Sequence, residues 1–256
     1  MEVHHHSHHP KKWKEYISEF MMLFLAVFAG FLAESYLDYR TERHKEHDYL
    51  VSLVSDLKID SADISIKELN MKLVTDCGSK VTDIVYQDKW MEKYADSMYI
   101  WCENIFDTEV VLQYADGTID QLKNAGGFRL IKSKLITEKI KDYIKGQSRM
   151  KGQEEGCGHT FDRFLDMRGD LMYSKVFTYS GDILKGRSTI TLLSEKLNSI
   201  KEKNGSKFLN GNQTEFIKLS NISFNYSGQL FVYRAMAIAQ KEKATELIKL
   251  IEEEIK

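Results

Sequence analysis

The chain has a single proline, Pro10, and it stands ahead of every segment with a hydrophobic pattern. Proline removes a backbone donor and breaks helix interiors. A sequence that avoids it from residue 11 to residue 256, and that holds no glycine from Phe31 to Cys77, is suited to long helices. Apolar residues recurring at three and four positions support that reading. The predicted fold is all-α: an N-terminal transmembrane helix continuing into a stalk and an antiparallel helical bundle. The predicted divisions are a polar tail over 1–15, a span over 16–39, a charged helical stalk over 40–77 and a bundle over 78–256.

The span is the least ordinary segment. Phe20 to Ala33 is a run of fourteen residues without a charge. A spanning helix needs roughly 20 apolar residues, and Ile17 and Leu37 extend the pattern past Glu19 and Glu34. Trp13 and Tyr16 stand at one end and Tyr36 and Tyr39 at the other, as interfacial aromatic belts do. At about 1.5 Å per residue, Trp13 to Tyr39 reaches about 40 Å, a bilayer with its headgroups. A cleaved secretory signal, with Lys11, Lys12 and Lys14 as its basic region, is the competing reading; a buried or interfacial helix is another. Lys11, Lys12 and Lys14 before the span balance Arg40, Arg43 and Lys45 after it, so orientation is weakly marked. The expected placement is a bacterial inner membrane, crossed once, with the amino terminus cytoplasmic and the carboxyl-terminal domain periplasmic.

Carboxylates in hydrocarbon are costly unless paired, wetted or interfacial. Glu19 and Glu34 therefore mark either the headgroup levels or a face turned to other helices. Ala26 and Gly30 form a small-xxx-small pair that permits close helix approach. Glu19, Ala26, Gly30, Ala33 and Glu34 are the candidate helix–helix interface, and a homo-oligomer or a partner in a membrane complex is the expectation.

Five of eight histidines lie in the tail: His4, His5, His6, His8 and His9. Clustered neutral imidazoles bind Zn, Ni or Cu, so adventitious metal is expected there and no cofactor is predicted. With 36 Lys+Arg against 38 Asp+Glu, the net charge of −2 argues against nucleic acid as a partner.

In the body, Leu50, Leu53, Leu57 and Ile64 follow a helical period, and Ile66, Leu69 and Leu73 continue on a shifted stripe. Gly78 is the predicted end of this helix. Trp90, Tyr94, Met98, Trp101 and Ile105 form an aromatic stripe read as core. Thr118 to Lys123 reads as a short helix, and a helix begins at Ser133 or Lys134. Gln147 to Gly158, with Gly152, Gly156 and Gly158, reads as a loop or junction, and Thr178 to Ser188 as a loop. Helices are expected over Thr189–Lys203 and from about Ser227 to Ile255. Asp48, Asp56, Asp60 and Asp63 read as a solvated ridge.

No P-loop, HExxH, GxSxG or CxxC is present, so no enzyme is predicted. Asn124 to Arg129 resembles a phosphate-binding glycine loop only loosely and reads as a turn. Cys157 and His159 are too close for ordinary zinc spacing. Cys77, Cys102 and Cys157 would be buried thiols in a cytoplasmic body, whereas an exported one would allow one disulfide.

Three phrases taken together carry a resemblance: KKWKEYISEFMMLFLAVFAGFLAE, YLVSLVSDLKIDSADI and TIDQLKNAGGFRLIKSKLITEKIKDYI. They resemble a family of bacterial single-pass membrane-anchored helical proteins with a domain of unknown function. Its marks here are the span ending near Phe31–Glu34 and the Leu-Lys-x-x-Gly-Gly-x-Arg-Leu-Ile segment, Leu122 to Ile131. The resemblance covers about the first 145 residues. It implies an envelope protein and assigns no reaction, cofactor or site residue. The functional expectation is a non-enzymatic, membrane-anchored scaffold or accessory subunit that self-assembles or joins a larger complex. The alternatives are an exported ligand-binding sensor and metal capture by the tail.

Overall fold

The computed structural model describes residues 13–124, 126–177 and 189–256. Among them every regular element is helical. Helix α1 (Trp13–Ile84) has 72 residues, about 108 Å at 1.5 Å per residue. Two short helices follow, α2 (Trp90–Lys93) and α3 (Ala95–Asp107). An extended segment leads to α4 (Gly117–Asn124), and then come α5 (Lys134–Leu171), α6 (Thr189–Asn204) and α7 (Gln213–Glu254). The carboxyl-terminal half of α1, α5 and α7 form a three-helix bundle. Helix α7 runs antiparallel to α1: Lys58 pairs with Glu252 at 2.8 Å and Glu68 with Arg234 at 2.8 Å. It is likewise antiparallel to α5, where Lys139 pairs with Glu246 at 2.7 Å and Gln153 reaches the Gln229 carbonyl at 3.2 Å.

The predicted stalk is the first helix of the bundle. Leu50, Leu53, Leu57 and Ile64 are buried, and Met71, Val74 and Val81 continue that face. Gly78 does not end the helix, which runs on to Ile84. Its missing side chain is instead what lets α7 come close: a Cβ there would lie 2.0 Å from Ser227 Oγ and 3.3 Å from the Ser223 carbonyl oxygen.

The predicted break at Gln147–Gly158 is likewise helical. Helix α5 starts on Ser133, whose hydroxyl accepts from Ile136 N–H at 3.4 Å. It then buries Met150, Cys157, Phe164 and Leu171 at a seven-residue spacing. Each buried apolar side chain contributes about 1.5–3 kcal/mol, more than the roughly 1 kcal/mol each glycine costs. Gly146 leaves room for the buried Gln240 side chain: a Cβ would meet its Oε1 at 2.0 Å, so a larger residue would have to displace it. The helix expected from about Ser227 begins earlier, at Gln213, as one helix, α7, capped by Asn212 accepting from Thr214 N–H at 2.9 Å. The loop predicted over Thr178–Ser188 lies outside the described residues.

The interior divides in two. Near the amino-terminal end of the bundle, Leu50, Leu53, Leu57, Ile119, Ile136, Ile140 and Leu247 pack together. At the far end, Trp90, Met98 and Ile105 of the aromatic stripe are buried as the spacing predicts and Trp101 is half-buried against them, but Tyr94 is exposed at 37%, while the neighbouring Tyr99 is buried. Trp90 meets Phe216 edge-on at 4.8 Å, and Tyr99 stacks on Phe208 at 5.6 Å. Tyr99 OH donates to the Lys207 carbonyl at 2.9 Å and accepts from Tyr173 N–H at 2.9 Å, so its polar tip is satisfied.

Candidate functional site

Three features of the bundle carry chemistry or surface: an extended strap, a cleft beneath it and an uncovered face of α1. The strap is residues 108–116, which have no regular structure. An extended segment away from a sheet needs partners for its N–H groups. Side chains of α1 supply them. Gln113 N–H donates to Asp63 Oδ2 at 3.0 Å, Ala115 N–H to Asp60 Oδ1 at 2.7 Å and Thr118 N–H to Asp56 Oδ2 at 3.1 Å. The register works because residues two apart on an extended chain advance about 6.6 Å. Helix residues three or four apart advance a comparable 4.5–6 Å. Further along, Asn70 donates to the Glu109 carbonyl at 2.7 Å, and the buried Lys67 ammonium pairs with the Glu109 carboxylate at 2.7 Å. Glu46 extends the series, accepting from Lys132 N–H at 2.6 Å.

The expected solvated ridge is thus, at Asp56, Asp60 and Asp63, a row of backbone acceptors; Asp48 alone stays exposed. The signal was present in the sequence: 56, 60, 63, 67 and 70 keep helical spacing beside the apolar face of Leu53, Leu57 and Ile64. Asp60 is the pivot. Tyr143 OH donates to its Oδ2 at 2.6 Å, and Gln240 donates to the Tyr143 carbonyl at 2.8 Å. Burial pushes the Asp60 carboxyl above its ordinary range, against the lowering effect of the Ala115 N–H and the Tyr143 hydroxyl. Burial also holds the Tyr143 hydroxyl protonated, well above the usual phenol range.

Behind the strap, α5 and α7 leave a half-open cleft of about 430 Å³. Phe106, Val110, Phe161, Tyr226 and Leu230 make its walls apolar, while Glu154 and Glu155 stand on the α5 side. Tyr233 OH donates to Glu154 Oε2 at 3.1 Å. Cys157 lines the cleft, and burial pushes its thiol up to about 11, so it is a poor nucleophile at neutral pH. His159 is exposed. Two residues apart on a helix, it points about 200° away from Cys157, so the two make no catalytic pair. Cys77 and Cys102 are also buried free thiols, and burial raises Cys102 to about 12.

The glycine loop is a turn. Gly126 takes φ 64°, and a Cβ on Gly127 would lie 2.9 Å from the Leu122 side chain. It packs on α1 just beyond the predicted span. Arg43 pairs with Glu46 and donates to the Leu130 carbonyl at 3.1 Å, and Lys132 Nζ donates to Tyr39 OH at 2.8 Å.

The candidate interface residues Glu19, Ala26, Gly30, Ala33 and Glu34 all lie on α1, and the rest of the described chain covers none of them. Helix α1 is long and apolar enough at this end to cross a membrane. On a helix of 3.6 residues per turn, Glu19, Ala26, Gly30, Ala33, Val51, Ile59, Ile66, Leu69 and Leu73 share an arc of about 80°, with Glu34 at its edge. That arc is opposite the bundle-facing stripe of Leu53, Leu57 and Ile64. Within the bundle its apolar members stay open to solvent, Ile66 at 59% and Leu69 at 69% exposure. His4, His5, His6, His8 and His9 lie outside the described residues. Among the described residues no group of three His, Cys, Asp or Glu is placed to hold a metal ion. The chain matches no family model, no curated protein and no solved structure.

Proposed function

We propose that this chain is a single-pass membrane-anchored helical scaffold that pairs with a second copy of itself along the outward face of α1. One observation carries the reading. The small-residue face of the apolar segment and the exposed apolar stripe of the bundle lie on the same side of one unbroken helix. Two copies inserted the same way present that face in parallel and in register, which gives a two-fold symmetric, self-complementary contact. In the membrane, Ala26, Gly30 and Ala33 permit close backbone approach. Beyond it, Val51, Ile59, Ile66, Leu69 and Leu73 lose their exposure to water.

The lipid bilayer is the other partner. Arg129, Lys132 and Lys134 lie in a stretch with no acidic residue between Asp120 and Glu138. Lys132 is held at the level of Tyr39, where anionic headgroups would attract this loop.

The proposed location is a bacterial inner membrane, amino terminus cytoplasmic and bundle periplasmic. The opposite insertion has one observation in its favour: Cys77, Cys102 and Cys157 are all buried free thiols, the state a reducing compartment maintains. A reporter fused after Lys256, active on only one side of the membrane, separates the two.

Self-association is tested by native mass of the full chain in nanodiscs, together with oxidative cross-linking of Ile59→Cys, Ile66→Cys and Leu73→Cys. Dimers are expected at all three positions and not at Lys249→Cys on α7. A strictly monomeric mass with no cross-linking at the three α1 positions would sink the proposal.

A further inference from the structure

We infer that the cleft between the strap, α5 and α7 is a binding site for a small amphipathic organic cation: an aromatic or branched apolar body carrying one ammonium group. Its volume of about 430 Å³ falls in the range of about 300–1,000 Å³ of small-molecule sites. Its walls suit an apolar body. Three carboxylates line it, from Glu109, Glu154 and Glu155, and no lining residue is a lysine, arginine or histidine. Lys67 neutralises Glu109 from the α1 side. Arg168, 4.5 Å from the centre of the Phe106 ring, is engaged by Glu103 at 3.5 Å. Glu154 and Glu155 are left to set the charge of the cleft, and that charge is negative. Glu154 is oriented by the Tyr233 hydroxyl, which burial keeps protonated. Phe106 is already engaged by Arg168, but Phe161 and Tyr226, with ring centres 5.5 Å apart, add aromatic surface that attracts an ammonium group.

One lining position offers a steric test that is independent of charge. Gly158 lines the cleft inside a continuous helix, and no atom lies within 4 Å of where its Cβ would be. Gly146 on the same helix is explained by a close neighbour, Gln240. Gly158 is exposed, with open space where a side chain would project, as at Gly152, Gly156 and Gly169 on the same helix, so a larger residue at 158 has room to enter the cleft it lines.

The test uses the full chain in nanodiscs, with empty nanodiscs as the blank. Equilibrium dialysis compares three probes of matched size: phenethylamine, 2-phenylethanol and 3-phenylpropionate. Phenethylamine is expected to bind at least tenfold more tightly than either of the others. Glu154→Gln keeps an acceptor for Tyr233 and is expected to lower amine affinity at least fivefold while leaving the alcohol unchanged. Gly158→Leu adds an isobutyl group to the cleft lining and should weaken binding of every probe at least fivefold without lowering Tm, since leucine is the better helix former. Equal affinity for the three probes, no binding above empty nanodiscs, or unchanged amine binding in Gly158→Leu would overturn the inference. None of these readouts depends on whether the chain dimerises.

Discussion

The two halves of α1 are one helix in two environments. From Trp13 to Glu42 every residue is exposed; from Glu46 onward one face is buried by α3, α4, α5, α7 and the strap. The first half is uncovered apolar surface over most of its length. The second is amphipathic, and its inner face carries a row of acids among the leucines. No break separates them. A 72-residue helix fixes rotation as well as length, so whatever covers the outer face of one half presents the same side of the other. The inner half is stabilised by what this chain supplies. The outer face is left to lipid and, in our proposal, to a second copy.

The sharpest way to break that contrast is at Asp60. Asp60→Ala leaves the Ala115 N–H and the Tyr143 hydroxyl without their acceptor. Unsatisfied buried donors cost about 1–3 kcal/mol each, so about 3 kcal/mol of bundle stability should be lost. Urea unfolding in nanodiscs reads this through Trp90 in the core, while Trp13 beside the span should be unaffected. Next in size is Gly78→Leu, whose Cβ would collide with Ser227. Overpacking of this kind costs about 1–3 kcal/mol, and helix α7 would have to shift, lowering the bundle midpoint.

A smaller effect is a pH dependence. The folded chain holds the Asp60 proton more tightly than the unfolded chain does, because its carboxyl is raised on folding. Its contribution to stability is therefore present below the ordinary carboxylate range near pH 4 and is withdrawn as pH rises through the raised value. The stability of Asp60→Asn relative to the unmodified chain should accordingly increase from about pH 4 to pH 7. A constant difference across that window would show that the folded and unfolded chains hold this proton equally.

The smallest effect on folding comes from the outer face. Ile66→Glu and Leu69→Glu should change monomer stability by no more than about 0.5 kcal/mol, yet halve the native mass in nanodiscs. If Ile66→Glu unfolds the bundle instead, the two faces of α1 are not independent.

Much of this was legible beforehand. The apolar stripe at Leu50, Leu53, Leu57 and Ile64, the short helix near Thr118 and the burial of Trp90, Met98 and Ile105 follow from period alone, whereas Tyr94 of the same stripe is exposed. Ile66, Leu69 and Leu73 were readable as a second stripe, but not as an uncovered one. What failed was punctuation. Gly78, Gly152, Gly156 and Gly158 read as breaks because glycine lowers helix propensity; in α1 and α5 the burial of flanking residues outweighs that cost. The acids at 56, 60 and 63 read as solvated because charge normally seeks water. Their partners are backbone N–H groups about 50 to 62 residues away, and no local pattern encodes that distance.

The sequence by itself determined that the chain is helical, where its apolar run lies and which residues share each side of α1. These depend only on propensity, hydropathy and the 100° step between residues. Tertiary structure decided which side faces inward, that the strap is held by carboxylates of α1, and that an apolar cleft opens between the strap, α5 and α7. Those outcomes depend on contacts between segments far apart in the chain, which the spacing of residues along one helix does not specify.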